Sequence, residues 1–370
     1  MDIDIRNFLK VHNPREDFPN ISGSIEIQRN VKFGRMIVAT EDLLPGTVIC
    51  IEEPFFMSLD KKEVQTRCGL CLKKLISSVT CPSCKSLKFC SEKCQINCYK
   101  YFHKFECANF HELDSDDNFL LMMNRMLYKS ISTSGSLEEL NTIIETIDKS
   151  LTLFDSTELK IDKKLLSCCF NLECGNVKDD FTFIDSCVKS PFLRNLITSK
   201  YEQDILKKII LKILGILNRN SFTISFKTDS AGALYPFASL INHSCSPNLD
   251  KINLGNKALF ISNKPINKHE QLFLSYRRPF YFDSVQKRQK SIYRQFNFTC
   301  ECEACRNDEL FTQYYESSSD LKNISKINSF KLYRASCIYI QNNIKDYPNL
   351  ELIQAIYSNK KFLQNVLDEY

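Results

Sequence analysis

The chain has 370 residues, 43% of them hydrophobic and 25% charged, and a formal net charge of +5. This composition excludes a disordered chain, and the length suits two or three domains. The excess of positive charge is small, and metal-bound thiolates would reduce it further. We therefore do not expect nucleic acid to be the main ligand, since a basic patch is its usual mark.

Eighteen cysteines are many for a chain of this length. The N-terminus, MDIDIRNFLK, has no apolar core of signal-peptide length, and the most apolar helical run, KKIILKILGILN, is interrupted by Lys212 and too short to span a membrane. We therefore expect a soluble intracellular protein of the cytoplasm or nucleus, with no membrane partner. In a reducing compartment, cysteines at this density indicate metal binding rather than disulfides.

The apolar pattern divides the chain into a strand-rich start, a helical middle, a second strand-rich block and a helical end. Alternating or β-branched runs predict strands, and apolar residues at spacings of three and four predict helices. The predicted strands are RMIVAT (35–40), VICIEEPF (48–55), ALFISN (258–263) and QLFLSY (271–276). The predicted helices are FLLMMNRMLYKSI (119–131), LEELNTIIETIDKSL (137–151), FLRNLI (192–197), DILKKIILKILGILN (204–218), INSFKLYRASCIYIQNNI (327–344) and LELIQAIYSNKKFLQNVL (350–367).

Eight potential zinc ligands stand close together in the first third of the chain. They follow the pattern C-x2-C-x9-C-x2-C-x5-C-x3-C-x8-H-x3-C and are Cys68, Cys71, Cys81, Cys84, Cys90, Cys94, His103 and Cys107. Zn²⁺ takes four such ligands in a tetrahedron, and a C-x2-C pair directs two thiolates at one ion. The spacing predicts two closed structural zinc sites, against the alternative of a chance cluster of buried cysteines. Metal binding should supply most of the folding free energy of this segment.

A second group of cysteines follows near position 300. Cys300, Cys302 and Cys305 form C-x-C-x2-C, one ligand short of a closed tetrahedron. The candidate for the fourth ligand is Cys245, in the stretch SLINHSCSPNLD (239–250). The alternatives for Cys245 are a simple buried thiol or a nucleophile. As a zinc-bound structural thiolate it would be unavailable for nucleophilic attack.

These motifs together resemble a known family. The segment 68–107, with KFCSEKC and HKFEC, resembles the MYND zinc finger. GRMIVATEDLLPGTVICIEEPF before it, and NSFTI, ALYPFASLINHSC, HEQLFLSY and C-x-C-x2-C after it, resemble the SET-and-MYND lysine methyltransferases. The resemblance implies an α+β fold, with a β-rich SET core interrupted by a MYND finger and a helical insert, then a post-SET zinc loop and a small helical C-terminal region.

The resemblance also implies domain boundaries and ligand groups. The boundaries are 1–67 for the N-terminal part of the SET domain, 68–107 for the finger, 108–219 for the helical insert, 220–276 for the core SET region, 277–306 for the post-SET loop and 307–370 for the C-terminal region. The finger would bind one ion through Cys68, Cys71, Cys90 and Cys94, and another through Cys81, Cys84, His103 and Cys107. With Cys245, Cys300, Cys302 and Cys305, three Zn²⁺ ions per chain are expected.

By the same resemblance, the cofactor is S-adenosylmethionine. The residues implied to bind it are Gly34, Arg35, Asn220, Asn242, His243, Tyr276 and Phe298, with Tyr276 as the catalytic tyrosine and Phe222 and Tyr235 in the substrate channel. One position departs from the family pattern of Gly-x-Gly in the early loop, since Met36 replaces the second glycine. Glycine permits close backbone approach or a positive φ, so Met36 could narrow the cofactor site.

The implied reaction is methyl transfer to a lysine amine of a protein substrate, histone or non-histone. Only the neutral amine reacts, and a dry aromatic channel beside a cationic sulfonium would lower the lysine pKa. Tyr276 would orient the reacting groups through its hydroxyl. Without the accompanying motifs, the favoured interpretation would be an ordinary tyrosine at the end of a strand with a satisfied hydroxyl. For His243 we expect a structural role beside the cofactor rather than that of a general base.

The rival interpretation is an interaction protein without catalysis. MYND fingers often bind proline-rich peptides, and the SET core would then be an inert scaffold. Met36 is the feature that favours this alternative, whereas Asn242, His243, Tyr276 and the complete C-x-C-x2-C motif oppose it.

Overall fold

The computed structural model of the protein describes residues 5, 8–32, 34–112, 118–147, 161–175, 181–225, 230–316 and 327–369. The chain forms two compact units. The first comprises Met1–Glu53 and Leu240–Tyr370, and the second comprises Pro54–Ser239. Within the described ranges, no helix is long and apolar enough to cross a membrane.

The described elements are short strands in five small sheets, together with helices of 3 to 21 residues. The strands are Ile25–Asn30 (β1), Gly34–Ala39 (β2), Val48–Glu52 (β3), Phe56–Leu59 (β4), Val79–Thr80 (β5), Lys88–Phe89 (β6), Phe222–Ser225 (β7), Ser230–Leu234 (β8), Asn242–His243 (β9), Leu249–Leu254 (β10), Lys257–Ser262 (β11) and Phe273–Leu274 (β12). The helices are Glu92–Cys98 (α1), Lys104–Glu106 (α2), Asn118–Ser134 (α3), Leu137–Thr146 (α4), Ile161–Phe170 (α5), Phe181–Lys189 (α6), Lys200–Asn220 (α7), Val285–Phe296 (α8), Glu303–Arg306 (α9), Asp308–Glu316 (α10), Phe330–Asn343 (α11) and Leu350–Glu369 (α12). A π-helical turn, Tyr99–His103, lies between α1 and α2.

The first unit contains three small sheets. β1 pairs antiparallel with β2, and β10, β11 and β3 form an antiparallel sheet in that order. β9 pairs with β12 in parallel, which places Asn242 beside Phe273 and His243 beside Leu274. Through this two-residue pairing, the backbone of Tyr276 arrives next to the imidazole of His243.

The two C-terminal helices pack on the three-stranded sheet of the first unit. α12 lies against β10, and α11 lies against α12. Their apolar residues recur at helical spacing and join the sheet in one buried cluster, which includes Ile252, Leu259, Tyr333, Phe362 and Leu363. The C-terminal region therefore contributes to the core of the first unit, because the sheet face and the apolar helix faces remove one another from water.

The second unit combines the sheet β4-β8-β7 and the hairpin β5-β6 with helices α1 to α7. α7 begins at a capping box, in which the side chains of Ser199 and Glu202 satisfy each other's backbone N–H groups. α3 packs against both β4 and α7. The buried positions of α7 lie three and four residues apart and include Ile205, Ile209, Ile213 and Leu217.

The α+β class predicted from the sequence is confirmed, and so are most of the long predicted helices. The domain boundaries at 67, 107, 219, 276 and 306 remain predictions. Of the helix predicted at 137–151, the described part ends at Thr146; residues 148–151 lie outside the described residues.

Two short segments differ from the prediction, and several described helices, α8 among them, were not predicted individually. FLRNLI forms only a 3₁₀ turn at Arg194–Leu196, since six residues are too few to sustain an isolated helix. QLFLSY pairs at β12 and through an isolated antiparallel bridge between Gln271 and Val38, and it ends before Tyr276, whose backbone N–H donates to the His243 ring at 3.0 Å. α8 was not predicted, because its buried face consists of only Arg288, Ile292 and Phe296 in an otherwise polar run.

Candidate functional site

The first ligand group of the finger lies at the meeting of a loop, a strand end and a helix. Cys68 and Cys71 occupy the loop, Cys90 follows β6, and Cys94 lies in the first turn of α1. The Sγ atom of Cys90 is 3.4 Å from that of Cys71 and 3.6 Å from that of Cys94. A hydrogen bond with Cys71 lowers the pKa of the Cys68 thiol to about 4. The group therefore presents four converging sulfur atoms.

The second ligand group interleaves with the first, as the resemblance implied. The Sγ atoms of Cys81 and Cys107 are 3.6 Å apart, and His103 Nε2 lies 3.5 Å from Cys84 Sγ. The π-helical turn brings His103 inward, where its ring is 1% exposed. The other ring nitrogen, Nδ1, lies 3.2 Å from the carboxylate of Glu106.

The third group joins two distant parts of the sequence in the first unit. Cys245 Sγ lies 4.0 Å from Cys300 Sγ and 3.6 Å from Cys305 Sγ, and the Cys245 backbone N–H points at Cys302 Sγ at 3.4 Å. Hydrogen bonds from the neighbouring thiols, Cys245 first, hold the pKa of the Cys302 thiol well below its usual range. Cys245 thus stands where the sequence analysis expected the missing fourth ligand.

The geometry of all three groups fits Zn²⁺. In each group the four ligand atoms lie within 4.8 Å of one another. A Zn–S bond of about 2.3 Å gives a tetrahedral S···S edge of about 3.8 Å, close to the separations of 3.4 to 4.0 Å seen here. The donor sets, two of four thiolates and one of three thiolates with an imidazole, are those of structural zinc sites.

His243 and Tyr276 form the centre of the site predicted to bind the cofactor. The Tyr276 backbone N–H donates to His243 Nδ1 at 3.0 Å, and the Tyr276 hydroxyl donates to the Ile241 carbonyl at 2.9 Å. The hydrogen of the neutral imidazole therefore lies on Nε2, which faces Cys245 Sγ at 3.3 Å. Burial lowers the pKa of His243 to about 4. With both ring nitrogens engaged, the geometry favours the structural role over that of a general base.

Aromatic rings surround this centre. The Tyr276 ring lies 5.2 Å from the His243 ring and 4.9 Å from that of Phe296, and the Phe298 ring lies 6.1 Å from that of His243. Phe298 was predicted from the sequence, whereas Phe296, at the end of α8, was not. The hydroxyl of the adjacent Ser275 is buried without a hydrogen-bond partner among the described residues.

The early hairpin reaches the same centre through Asn242. The Asn242 side-chain amide donates to the Arg35 carbonyl at 2.9 Å, across 207 positions of sequence. Gly34 has φ of +65°, a conformation that side chains rarely adopt. Met36 lies in regular strand pairing opposite Gln28, so the position does not require glycine. Gly34, Arg35, Asn242, His243, Tyr276 and Phe298 all belong to the first unit.

The three remaining predicted residues belong to the second unit. The Asn220 amide donates to the carbonyls of Glu173 and Ile216, at 2.8 and 2.9 Å, so it links the end of α7 to the segment that follows α5. The rings of Phe222 and Tyr235 meet edge to face at 5.5 Å, one from each of two neighbouring segments of the sheet. Their roles in cofactor binding and in the substrate channel remain predictions.

Two buried arginines near the metal groups were not identified from the sequence. Arg125 forms an ion pair with Glu106, and Arg288 donates to the Ala304 carbonyl at 2.9 Å and toward Cys305 Sγ at 3.8 Å. The signal for Arg125 was present in FLLMMNRMLYKSI, where a lone arginine interrupts an apolar helix face. Glu106 was a second signal in the sequence, because this carboxylate stands three residues after His103 and directly before Cys107, and both neighbours are predicted ligands.

The sequence was compared with known families and proteins. The model of the SET domain family matches residues 34–277. The chain is 27% identical over 281 residues to SET domain and MYND-type zinc finger protein 6 of Schizosaccharomyces pombe, which covers 75% of this chain and 51% of that protein. It is 22% identical over 380 residues to human protein-lysine N-methyltransferase SMYD4, with 79% and 47% covered. The chain therefore spans about half the length of the curated relatives it matches.

One solved structure gives a more distant likeness. A crystal structure of the SET domain of LSMT bound to lysine and AdoHcy aligns with 99% of this chain and 90% of that one, at 10% identity. The TM-score is 0.33. A score at this level does not establish a common fold.

Proposed function

Since the chain belongs to the SET-domain family, we propose that it transfers a methyl group from S-adenosylmethionine to a lysine of a protein substrate. The observation that carries the proposal is the convergence at His243. Three distant segments meet there, because the Asn242 side chain donates to the Arg35 carbonyl and the backbone N–H of Tyr276 donates to the ring of the neighbouring His243. Relatives named as protein-lysine N-methyltransferases support the same activity. Because the chain spans about half of such a relative, the activity is our inference.

The proposed cofactor site consists of groups that bind without reacting. Gly34 and Arg35 would cover the amino-acid end of the cofactor, Asn242 and His243 would contact it through backbone groups, and Phe298 would stack on the adenine. The open space around Gly34, where an added Cβ would meet nothing within 4 Å, is consistent with a ligand approaching there. The unpartnered Ser275 hydroxyl offers a further polar contact. When bound, S-adenosylmethionine supplies an electrophilic methyl group on a sulfonium.

The chain's own contribution to the reaction is orientation and desolvation. A free lysine has a pKa of about 10.4, so the amine must lose a proton before it can attack. The neutral amine nitrogen then forms a bond to the methyl carbon as the carbon–sulfur bond breaks, and the product ammonium loses a proton to water. We propose that the hydroxyl of Tyr276 orients the amine. The substrate-channel roles of Phe222 and Tyr235, which belong to the other unit, stay predictions from the family resemblance. Positioning of this kind supplies much of the rate in such one-step displacements.

The three cysteine-rich groups are proposed to hold one structural Zn²⁺ each, in the cytoplasm or nucleus where thiols remain reduced. A second candidate role belongs to the finger. Ile96 and Tyr99 are exposed on one face of α1 and the turn that follows it. This apolar face supports binding of proline-rich peptides, either alongside catalysis or as the whole function if the SET domain is inactive.

Calorimetry with S-adenosylmethionine on the full chain separates catalysis from a pure adaptor role. We expect one molecule bound per chain, and transfer of a radioactive methyl group to lysines in a protein mixture. Asn242→Ala should weaken binding because it releases the start of β2 at Arg35. Asn343→Ala is the matched control, since it removes an amide-to-carbonyl bond on exposed α11. A protein with full zinc content that binds no cofactor would overturn the proposal in favour of the adaptor.

A further inference from the structure

A buried ion pair lies beside the two metal groups of the finger. Arg125, from α3, donates to Glu106 through Nη2 at 2.8 Å and through Nε at 3.2 Å, so both carboxylate oxygens are engaged. The side chains are 1% and 0% exposed. Two charges removed from water are costly unless they pair closely and further hydrogen bonds satisfy their remaining polar atoms. Neither residue is a member of the three ligand groups.

Glu106 contacts a metal ligand directly. Its Oε1 lies 3.2 Å from His103 Nδ1, on the opposite side of the ring from the nitrogen that faces Cys84. A carboxylate at Nδ1 holds the hydrogen there and leaves the lone pair of Nε2 for a metal ion. The rings of Phe89 and Phe110 stand edge-on to the imidazole at 6.3 and 5.7 Å and limit its rotation.

Arg125 also contacts the loop of the other metal group. Its Nη1 donates to the Gly69 carbonyl at 3.4 Å, and Gly69 lies between the ligands Cys68 and Cys71. That loop is tightly packed, since a Cβ on Gly69 would lie 2.7 Å from Leu87 Cδ1. The guanidinium further stacks over the Phe102 ring at 4.7 Å. One side chain of α3 therefore contacts the loop of the first group and the carboxylate that supports the second.

We propose that Arg125 and Glu106 form a shared support that retains zinc at both finger sites and couples the finger to α3. Glu106 sets the tautomer and orientation of His103, while Arg125 balances the charge of Glu106 and holds the Cys68–Cys71 loop. The inference rests on zinc occupying the finger sites. It does not depend on methyl transfer, so the two proposals fail separately.

The test measures zinc release to a chelator and resolves the two sites by Co²⁺ substitution. Four thiolates and three thiolates with an imidazole give Co²⁺ different absorption bands. The late group, also of four thiolates, contributes the same band in every variant, so a change in the four-thiolate band reports the first finger group. Glu106→Gln should speed metal release from the Cys₃His site by about 10- to 100-fold, the usual effect of losing such a partner, and leave the Cys₄ site nearly unchanged. Arg125→Met should speed release from both sites, because it frees the Gly69 carbonyl and leaves Glu106 unpaired.

The double variant Glu106→Gln/Arg125→Met separates two effects of the pair, which are the orientation of the His103 ring by Glu106 and the balance of the buried Glu106 charge by Arg125. It carries no unpaired buried charge, so it should fold better than Arg125→Met, yet still lose metal rapidly from the Cys₃His site. Arg125→Lys keeps the charge but not the two-pronged geometry, and should give intermediate release if Arg125→Met fails to fold. Asp185→Asn is the matched control, since it breaks an exposed ion pair with Lys207 in the same unit and should leave both rates unchanged.

Three outcomes would overturn the inference. The first is release at the wild-type rate from both sites in Glu106→Gln and Arg125→Met. The second is full recovery of metal retention in the double variant, which would mean that the pair affects zinc retention only by balancing buried charge. The third is a wild-type finger that contains no zinc, which would remove the premise whether or not the protein binds S-adenosylmethionine.

Discussion

The finger and the late cysteine group both present zinc ligands, but the chain builds them differently. All eight finger ligands come from one continuous segment, residues 68–107. The late group joins Cys245 to three cysteines that follow 55 or more positions later. In the finger, buried Arg125 is paired with the carboxylate of Glu106. In the late group, buried Arg288 contacts backbone carbonyls and Cys305, and it has no carboxylate partner among the described residues.

The finger and the late cysteine group also differ in the number of apolar residues around their ligands. The late group lies inside an aromatic cluster that includes Phe280, Tyr281 and Phe311, with Phe298 packed against it. Ring centroids of Phe280 and Phe311 are 4.7 Å apart, edge to face. The finger segment has few apolar residues, so the metal ions must take the place of a core. The difference indicates that zinc folds the finger, whereas at the late site it fixes the position of a segment that already has a core.

Removal of all zinc should have the largest effect on stability, and it should affect the finger much more than the helices and sheet of the first unit. Structural zinc contributes about 10–16 kcal/mol per site in finger peptides, as much as the whole stability of a typical domain. We expect chelation to expose the amide groups of residues 68–107 to rapid hydrogen exchange, while those of α12 and β10 stay protected. If the amide groups of both regions stayed equally protected from hydrogen exchange after zinc loss, the finger would not depend on zinc more than the first unit does.

The loss of one ligand from the late cysteine group should have the second largest effect. Cys245→Ser should remove one zinc per chain and lower the late site's metal affinity by several kcal/mol, since a serine hydroxyl is a poor zinc ligand at neutral pH. Methyl transfer should be abolished and cofactor affinity should fall, because Phe298 would no longer be held near His243.

The control for that variant is Cys187→Ser, which alters a buried cysteine outside the three ligand groups. It should keep three zinc ions and normal turnover. If Cys245→Ser retained three zinc ions and wild-type cofactor affinity, Cys245 would not be a ligand.

A matched pair of tyrosines, one in each unit, sharpens the comparison further. Tyr276→Phe removes a hydroxyl that donates to a backbone carbonyl, and Tyr128→Phe does the same at Phe192. Each should lower the free energy of unfolding by about 1 kcal/mol. Only Tyr276→Phe should slow turnover, by about 100-fold, if its hydroxyl positions the reacting amine. Steady-state kinetics beside thermal denaturation would distinguish the two, and equal turnover in both would remove Tyr276 from the catalytic role.

The smallest effect is expected at the surface of the late site. Lys32, near the tip of the early hairpin, forms an ion pair with Glu301, between two late ligands, and both side chains are more than half exposed. Exposed pairs contribute about 0–1 kcal/mol and are screened by salt. Lys32→Ala should therefore change cofactor affinity by less than about fivefold, and high salt should cancel the difference. A larger, salt-independent loss would mean that Lys32 contacts the cofactor itself.

The features predicted well from the sequence are those whose cause is local. The C-x2-C spacings identified candidate zinc ligands, because such a pair directs two thiolates at one ion from positions three residues apart. The division of the ligands into groups came from the family resemblance. The helices α7 and α12 were predicted because their apolar residues recur every three or four positions. The strand predicted at QLFLSY is shorter than expected, because the backbone N–H of Tyr276 donates to the His243 ring and not to a neighbouring strand.

The sequence by itself determined the ligand types, the α+β class and, by resemblance, the residues to examine around NHSC. Only the tertiary structure decided that Asn242 holds the start of β2 at Arg35 across 207 positions, and that Glu106 and Arg125 meet between the two finger sites. The physical reason is the range of the interaction. Metal coordination and helical packing leave a repeat in the sequence, whereas a single hydrogen bond or ion pair between distant segments leaves none, and it forms only after the packing of the whole unit has brought the two partners together.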